Sequence, residues 1–290
     1  MIIKFKPIFF DKVWGGDDFK RLYDYPTGDK CGEAWGISAH PHGSSIVENG
    51  PFKGKTLKSL FDEEKQLFGQ FSGNEFPILV KIISAKQNLS VQVHPNNLQA
   101  KKYNSLGKEE CWTILDHEQD AKILIGHNAS TKQKWIEAIK DNTVESLLNE
   151  YEIKKDDFFY IKAGTVHAIC AGTTLLEVQQ SSDITYRLYD YNRLHNGELR
   201  ELHVEKGLDA LSIPSEPLLT KPLDTFFKYS MECVDLEKSF IADQHGDYIF
   251  IKEGKGLFND VSVKAGDFLM VSSLDTYQVV GNLTFQKTQI

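Results

Sequence analysis

At 290 residues the chain has room for one large domain or two small ones, with ample core. A net charge of −8 argues against nucleic acid or an anionic membrane as a partner, though not against a local basic pocket for a small anion. Cys31, Cys111, Cys170 and Cys233 form no CxxC pair, which excludes a zinc-finger knuckle or thioredoxin motif and fits a reducing compartment.

The first stretch, MIIKFKPIFF, is apolar, but Lys4, Lys6 and Pro7 interrupt it. It reads as a strand over residues 2–10, not as a signal peptide. No run approaches the roughly 18 apolar residues of a membrane span, so a cytoplasmic protein is expected. Gly15 and Gly16 read as a turn before a short helix near Asp17. GEAWGISAHPHGSSIVENG then reads as strand, turn, strand, and its His40-Pro41-His42 as a polar turn, not a metal site. Residues 56–68 form a modest amphipathic helix. PILVKIISA is a buried strand with Lys81 in its middle; an ammonium there must snorkel, pair with an acid, or face a ligand cavity.

In SVQVH, strict alternation puts Ser90, Gln92 and His94 on one face and Val91 and Val93 on the other. NNLQAKKYNSLG reads as a short helix ended by Gly107. Glu110, just before Cys111 and Trp112, opens the next strand. Residues 130–151 carry an imperfect apolar stripe and read as two short helices packed against the body of the protein. The pattern then returns to β, with a short helix in LHVEKGLDALSI and a linker in the proline-rich SIPSEPLLTKPL. In SSDITYRLYDY, alternation places Thr185, Arg187 and Tyr189 on one face, where a guanidinium can hold an anion such as a phosphate or pair with Asp183 or Asp190.

IKKDDFFYIKAGTVHAICAG aligns without gaps over VKAGDFLMVSSLDTYQVVGN at an offset of 110 residues. The alignment suggests two related β units. It sets His167 over Tyr277, so only the first copy keeps an imidazole. Gln92, His94, Glu110 and His167 together offer N and O donors suited to zinc or another divalent transition metal, with an open position for water or substrate.

LSVQVHP, GKEECW, AGTVHAI and LLEVQQSSDITYRLYDYNR resemble, in order and spacing, the blocks of type I mannose-6-phosphate isomerases of the short bacterial form, within the cupin superfamily. GEAWGISAHPHGSSIVENGPFKGKTL carries the likeness back toward the N-terminus. Two departures from ordinary cupins stand out: Gln92 replaces the first His of an HxH pair, and Lys162 replaces a proline. The resemblance implies a mainly β, jelly-roll fold of two cupin-like barrels with a few peripheral helices. A catalytic unit over 1–222 and a metal-free unit over 223–290 are expected. It further implies one zinc ion held by Gln92, His94, Glu110 and His167, with Arg187, Lys108 and Asp183 catalytic and Ser90 and Lys81 near the substrate. The implied reaction interconverts mannose 6-phosphate and fructose 6-phosphate through a cis-enediol, with Asp183, Lys108 and a zinc-bound water as candidate bases. A sugar phosphate is the expected partner, with no nucleic acid or membrane, in a monomer or homodimer. A cupin-type Fe(II) oxygenase and a non-catalytic sugar-phosphate-binding module are the alternatives.

Overall fold

Three strands in the middle of the chain are buried along their whole length: Cys31–Ile37, Ile78–Ala85 and Thr173–Gln180. They are neighbours in a six-stranded antiparallel sheet that runs, edge to edge, Phe158–Ile161, Glu110–His117, Thr173–Gln180, Ile78–Ala85, Cys31–Ile37 and Ile8–Gly16. The computed structural model describes residues 1–223 and 226–290. Alternation decides what each face of this sheet carries. Ala34, Val80, Ile82, Cys111, Leu176 and Val178 join one apolar cluster with Phe250, Phe268 and Met270 of the C-terminal strands. Trp112, Ile83 and Leu175 point the other way and pack with Ile123, Ile125 and Ile169.

Those last three residues belong to a five-stranded sheet ordered Leu148–Glu152, Lys122–His127, His167–Ile169, Val91–Val93 and Tyr186–Tyr189. The two sheets face each other across a shared core. Behind the smaller sheet lie the helices Lys132–Lys140 and Val204–Ala210, packed on Val91, Val93 and Leu188 through Trp135, Ala138 and Leu208. Thr131 starts the first of these helices by accepting from the Lys134 backbone N–H. Asn96 and Gln99 form a reciprocal capping box on the short helix Asn97–Ala100.

The third sheet holds the C-terminal strands Lys228–Ile241, Thr276–Gln289, Asp247–Phe258 and Phe268–Val271, with Val261–Lys264 beside Asp247–Phe258. It encloses its own core of Ile249, Ile251, Phe258, Leu269, Val279 and Phe285. The mainly β, two-barrel expectation is met. The repeat is visible in hydrogen bonds as well as strands. Phe158–Ile161 and Phe268–Val271 occupy equivalent places. The Asp157 carboxylate accepts from Lys154 N as Asp267 accepts from Lys264 N, and Thr165 N donates to Lys162 O as Asp275 N does to Ser272 O.

Several local expectations change. Residues 2–10 make two strands, because Pro7 has no N–H to give and breaks the ladder. Ile2–Lys6 pairs with Phe268–Val271 of the C-terminal sheet, while Ile8–Gly16 pairs with Cys31–Ile37. Residues on the N-terminal side of 222 therefore complete the C-terminal sheet. Gly15 and Gly16 lie in a strand, not a turn; a Cβ at Gly15 would come within 2.3 Å of the Lys30 carbonyl oxygen. The helix after His94 ends at Asn104, which takes the left-handed conformation, and not at Gly107. The end of the 130–151 segment is the strand Leu148–Glu152, which alternates in burial and so follows a period of two. Among the described residues no helix is long and apolar enough to cross a membrane.

Gly36 marks where the central sheet and the C-terminal sheet touch: a Cβ there would lie 2.1 Å from the buried ring of Phe268. Gly36→Ala is expected to destabilise the protein by about 1–3 kcal/mol through overpacking, read as a lower urea midpoint. Phe268→Leu in the same chain should recover part of the loss, and independent effects of the two changes would show that the contact is not tight.

Candidate metal centre and its cavity

A cavity of about 340 Å³ opens between the six- and five-stranded sheets, lined among others by Lys12, Glu33, Trp35, Lys81, Ser90, Gln92, Lys108, Glu110, Glu177, Asp183, Arg187 and Arg200. One row of directly paired residues crosses the smaller sheet, His167 opposite Gln92 and Gln92 opposite Arg187. Paired residues share a face at about 5 Å spacing. The polar face expected of SVQVH is therefore real, with Ser90 and Gln92 on the cavity and Val91 and Val93 in the core behind.

His94, Glu110 and His167 bring one donor atom each to within 4.8 Å of one another, all fully buried. His94 comes from the end of one strand, His167 from the start of its neighbour, and Glu110 from the opposite sheet. Each imidazole has its Nδ1–H committed to a carbonyl, His94 to Ile184 O at 2.8 Å and His167 to Thr165 O at 2.9 Å. Both Nε2 lone pairs therefore turn toward Glu110, whose Oε2 lies 3.6 Å from His94 Nε2 and whose Oε1 lies 3.2 Å from His167 Nε2. A backbone carbonyl behind each ring is the usual support of a metal-binding imidazole.

Burial above all keeps both rings neutral: the His94 pKa falls well below its ordinary value, and that of His167 drops to about 4. Glu110 Oε2 is buried with no hydrogen bond, its nearest charged neighbour being the Lys108 Nζ at 3.3 Å. Two neutral imidazoles and an unsatisfied buried carboxylate oxygen converging on one point are a donor set for a divalent cation. Gln92 sits at its edge, its amide donating to His167 Nε2 at 3.3 Å.

Lys81 does not snorkel. Its ammonium is buried between Glu33 Oε1 at 3.6 Å and Glu177 Oε2 at 3.4 Å. Glu33 also meets Lys12 at 3.0 Å and accepts from Trp35 Nε1 at 3.1 Å. Lys108 Nζ lies 3.2 Å from His94 Nε2, 3.3 Å from Glu110 Oε2 and 3.8 Å from Glu177 Oε1. The wall thus alternates in charge from Lys12 through Glu33, Lys81, Glu177 and Lys108 to Glu110. Burial by itself would raise the Glu33 pKa, but the Lys81 and Lys12 ammoniums hold it down to about 2. Glu177 goes the other way, pushed up to about 7 by burial first and by the Glu110 carboxylate second.

At the cavity mouth Asp183 accepts from His42 Nδ1 at 2.7 Å, and His40 Nε2 approaches it at 3.9 Å. HPHG is the expected turn, and it brings its histidines onto a cavity carboxylate. The bond from His42 N into His40 Nδ1 at 3.2 Å leaves the His40 proton on Nε2, directed at Asp183. That arrangement suits a held carboxylate better than a second metal site. Thr185 and Arg187 face the cavity, but Tyr189 does not: a bulge between Arg187 and Tyr189 turns Tyr189 into the core with Val91.

Glu33, Glu177 and Arg200 belong to the cavity and were missed in the sequence. Glu177 carried the signal that exposed Lys81, a charge inside an apolar run, and lies directly opposite it across the ladder. Arg200 sits in an ordinary polar segment and carried none.

The pattern that defines the catalytic domain of type I phosphomannose isomerases matches residues 2–128. The chain is 47% identical over 217 residues to the mannose-6-phosphate isomerase ManA of Bacillus subtilis, covering 73% of this chain and 69% of that one. It is 44% identical over 206 residues to a mannose-6-phosphate isomerase of Streptococcus mutans, covering 70% and 65%. The crystal structure of the mannose 6-phosphate isomerase from Bacillus subtilis superposes with a TM-score of 0.94 at 35% identity, covering 100% of this chain and 99% of that one.

The depressed imidazoles set a pH dependence. Protonation is open to His167 below about 6.5 in the unfolded chain but only below about 4 in the folded one, so the unfolded state binds more protons in that window. The stability of metal-free protein should be full above the window and decline as pH falls through it. A melting temperature flat across the window, once the carboxylates are accounted for with His167→Gln, would contradict the neutral ring.

Proposed function

This chain belongs to the type I phosphomannose isomerase family, and from that premise we propose that its cavity interconverts mannose 6-phosphate and fructose 6-phosphate with a zinc ion held by Gln92, His94, Glu110 and His167. The observation that carries the metal reading is the convergence of two neutral Nε2 atoms on the unsatisfied Glu110 carboxylate. Gln92 would join through its Oε1 atom. When bound, the zinc ion supplies positive charge that polarises the sugar oxygens at C1 and C2.

The reaction moves a proton between two adjacent carbons and needs a group that can take it and give it back. Lys108 is placed for this role. Its Nζ lies beside the proposed ligands, and 3.8 Å away is a Glu177 carboxyl whose pKa, pushed up to about 7, suits it to exchange a proton at working pH. Lys81 differs: burial alone would lower its pKa, but Glu177 and Glu33 raise it, so it stays an ammonium. It would donate to the oxyanion that develops on the enediol. Ser90, buried on the adjoining strand, would contact the sugar, and Asp183 would accept from a sugar hydroxyl at the mouth. Arg187 brings a further cation to the far end of the cavity. Trp35 and Trp112 close the inner wall and exclude bulk water from the intermediate. The free buried thiols Cys31, Cys111 and Cys170 support a reducing, cytoplasmic setting. Catalysis is assigned to 1–222, with 223–290 as a metal-free partner.

Purified protein should carry about one zinc ion per chain and form fructose 6-phosphate from mannose 6-phosphate in a coupled assay. Chelation should abolish turnover and zinc should restore it. His167→Ala should lose the metal. Oxygen consumption by an iron-loaded protein, without aldose–ketose conversion, would overturn the reading. Lys108→Met should keep the metal yet lower kcat by roughly a hundredfold or more, and unchanged kcat would remove Lys108 from the proton path.

A further inference from the structure

Among the described residues, the carboxylates that line the cavity are of two kinds. Glu33, Glu177 and Glu110 are buried and stand against the ammoniums of Lys12, Lys81 and Lys108. Asp183, half-exposed at the mouth, has no ammonium or guanidinium within ion-pair distance among those residues. Its neighbours are two imidazoles, with Oδ2 2.7 Å from His42 Nδ1 and Oδ1 3.9 Å from His40 Nε2. One carboxylate oxygen is committed to a hydrogen bond, and the other is not. Both imidazoles come from the HPHG turn, about 140 residues earlier in the chain.

That turn is built on a buried scaffold. His40 pairs with Gly43 and Ala39 with Ser44 across it. Behind it lie Ser38 and Ser45, both fully buried. Ser38 Oγ donates to Gly43 O at 2.6 Å and accepts from His40 N at 3.2 Å, and Ser38 N donates to Ser45 Oγ at 3.1 Å. The His40 ring stands edge-on against Trp35, a wall of the cavity, with centroids 5.7 Å apart. Burial lowers the His40 pKa, against the pull of Asp183. The ring therefore stays neutral, and its Nδ1 remains an acceptor for His42 N. His42 thus has a fixed backbone but a ring that is 71% exposed, with its side-chain hydrogen bond going to Asp183. An exposed pair of this kind adds little to stability. Its consequence lies in where it points the carboxylate.

The backbone on either side of Asp183 is fixed as well. Gln179 Nε2 donates to Gln180 O at 2.8 Å and to Ser182 O at 2.7 Å, and Ile184 O accepts from His94 Nδ1 at 2.8 Å. What remains for the Asp183 side chain is rotation about its own torsions, and the bond to His42 removes it. We propose that His42 is a positioning residue for Asp183: it occupies Oδ2 and so leaves Oδ1 as the acceptor for a sugar hydroxyl, while His40 holds His42 in place. This rests on the isomerase reading above, in which Asp183 meets the sugar, and adds to it a role for the HPHG turn.

The test uses the zinc-loaded protein. His42→Ala should raise KM for mannose 6-phosphate by about tenfold, the lower end of the range for losing a hydrogen bond to a charged group. A hydroxyl held equally in ground and transition states affects KM alone, so kcat should change by less than about threefold. His42→Phe keeps a ring without the donor and should match His42→Ala. His42→Asn, whose amide nitrogen falls near the place of Nδ1, should recover part of the loss. In an Asp183→Ala chain, His42→Ala should have no further effect on KM. A fall in kcat with KM unchanged, equal behaviour of the Phe and Asn variants, or a full His42→Ala effect without Asp183 would each overturn the proposal.

Nitrogen NMR of the imidazoles reads the contact without turnover, because the hydrogen bond that a ring makes sets which nitrogen carries its proton. In their neutral forms His42 should carry the proton on Nδ1 and His40 on Nε2, opposite tautomers two residues apart. Asp183→Ala should abolish the Nδ1 preference of His42. A wild-type His42 protonated on Nε2, or a tautomer unchanged in Asp183→Ala, would also overturn the proposal. The expected tautomers in a protein that does not isomerise mannose 6-phosphate would instead uphold the hold on Asp183 and count against the assigned reaction.

Discussion

The structure depends on a sheet that is buried on both faces yet carries charge on one of them. Ammonium and carboxylate groups held away from water must be paired, and period-two alternation sends Glu33, Lys81, Glu177 and Glu110 all to the cavity side. There they stand against one another in an alternating series with Lys12 and Lys108, although Glu110 Oε2 and Glu177 Oε1 keep no hydrogen bond. The opposite face of the same strands is apolar and seals against the C-terminal sheet. Removing one member of such a series would leave its partner buried and unpaired, which costs about 3–5 kcal/mol. The wall is therefore coupled, and Lys108 joins it to His94 and Glu110.

Against this balanced wall, the two ends of the cavity divide the work. One end offers neutral imidazoles around a carboxylate oxygen. The other offers the guanidiniums of Arg187 and Arg200. The row His167, Gln92 and Arg187 crosses three adjacent strands, so the spacing between the ends is set by backbone ladders and not by mobile loops.

The C-terminal unit repeats the turns of the first but not its chemistry. In place of His167 it has Tyr277, whose hydroxyl donates to the buried Asp247 at 2.7 Å. Its interior is filled by Ile249, Phe258, Val279 and Phe285. What it contributes is cover. Phe250, Phe268 and Met270 close the apolar face of the central sheet, and the strand Ile2–Lys6 stitches the N-terminus into that cover.

Local pattern determined a good deal of this protein. The alternation in SVQVH and the odd charge at Lys81 follow from period-two geometry, and the turn before His167 and the repeat from local residue pattern, all of which a linear reading captures. Of the four donors expected from the family blocks, His94, Glu110 and His167 converge within 4.8 Å of one another. The sequence did not reveal that Pro7 sends one strand to each of two sheets, or that a bulge turns Tyr189 away from the face of Arg187. It also left Glu33, Glu177 and Arg200 as ordinary polar residues. Those outcomes were decided by pairing between segments distant along the chain, because a strand has two faces and two edges, and only its neighbours settle which of them is a wall of the cavity.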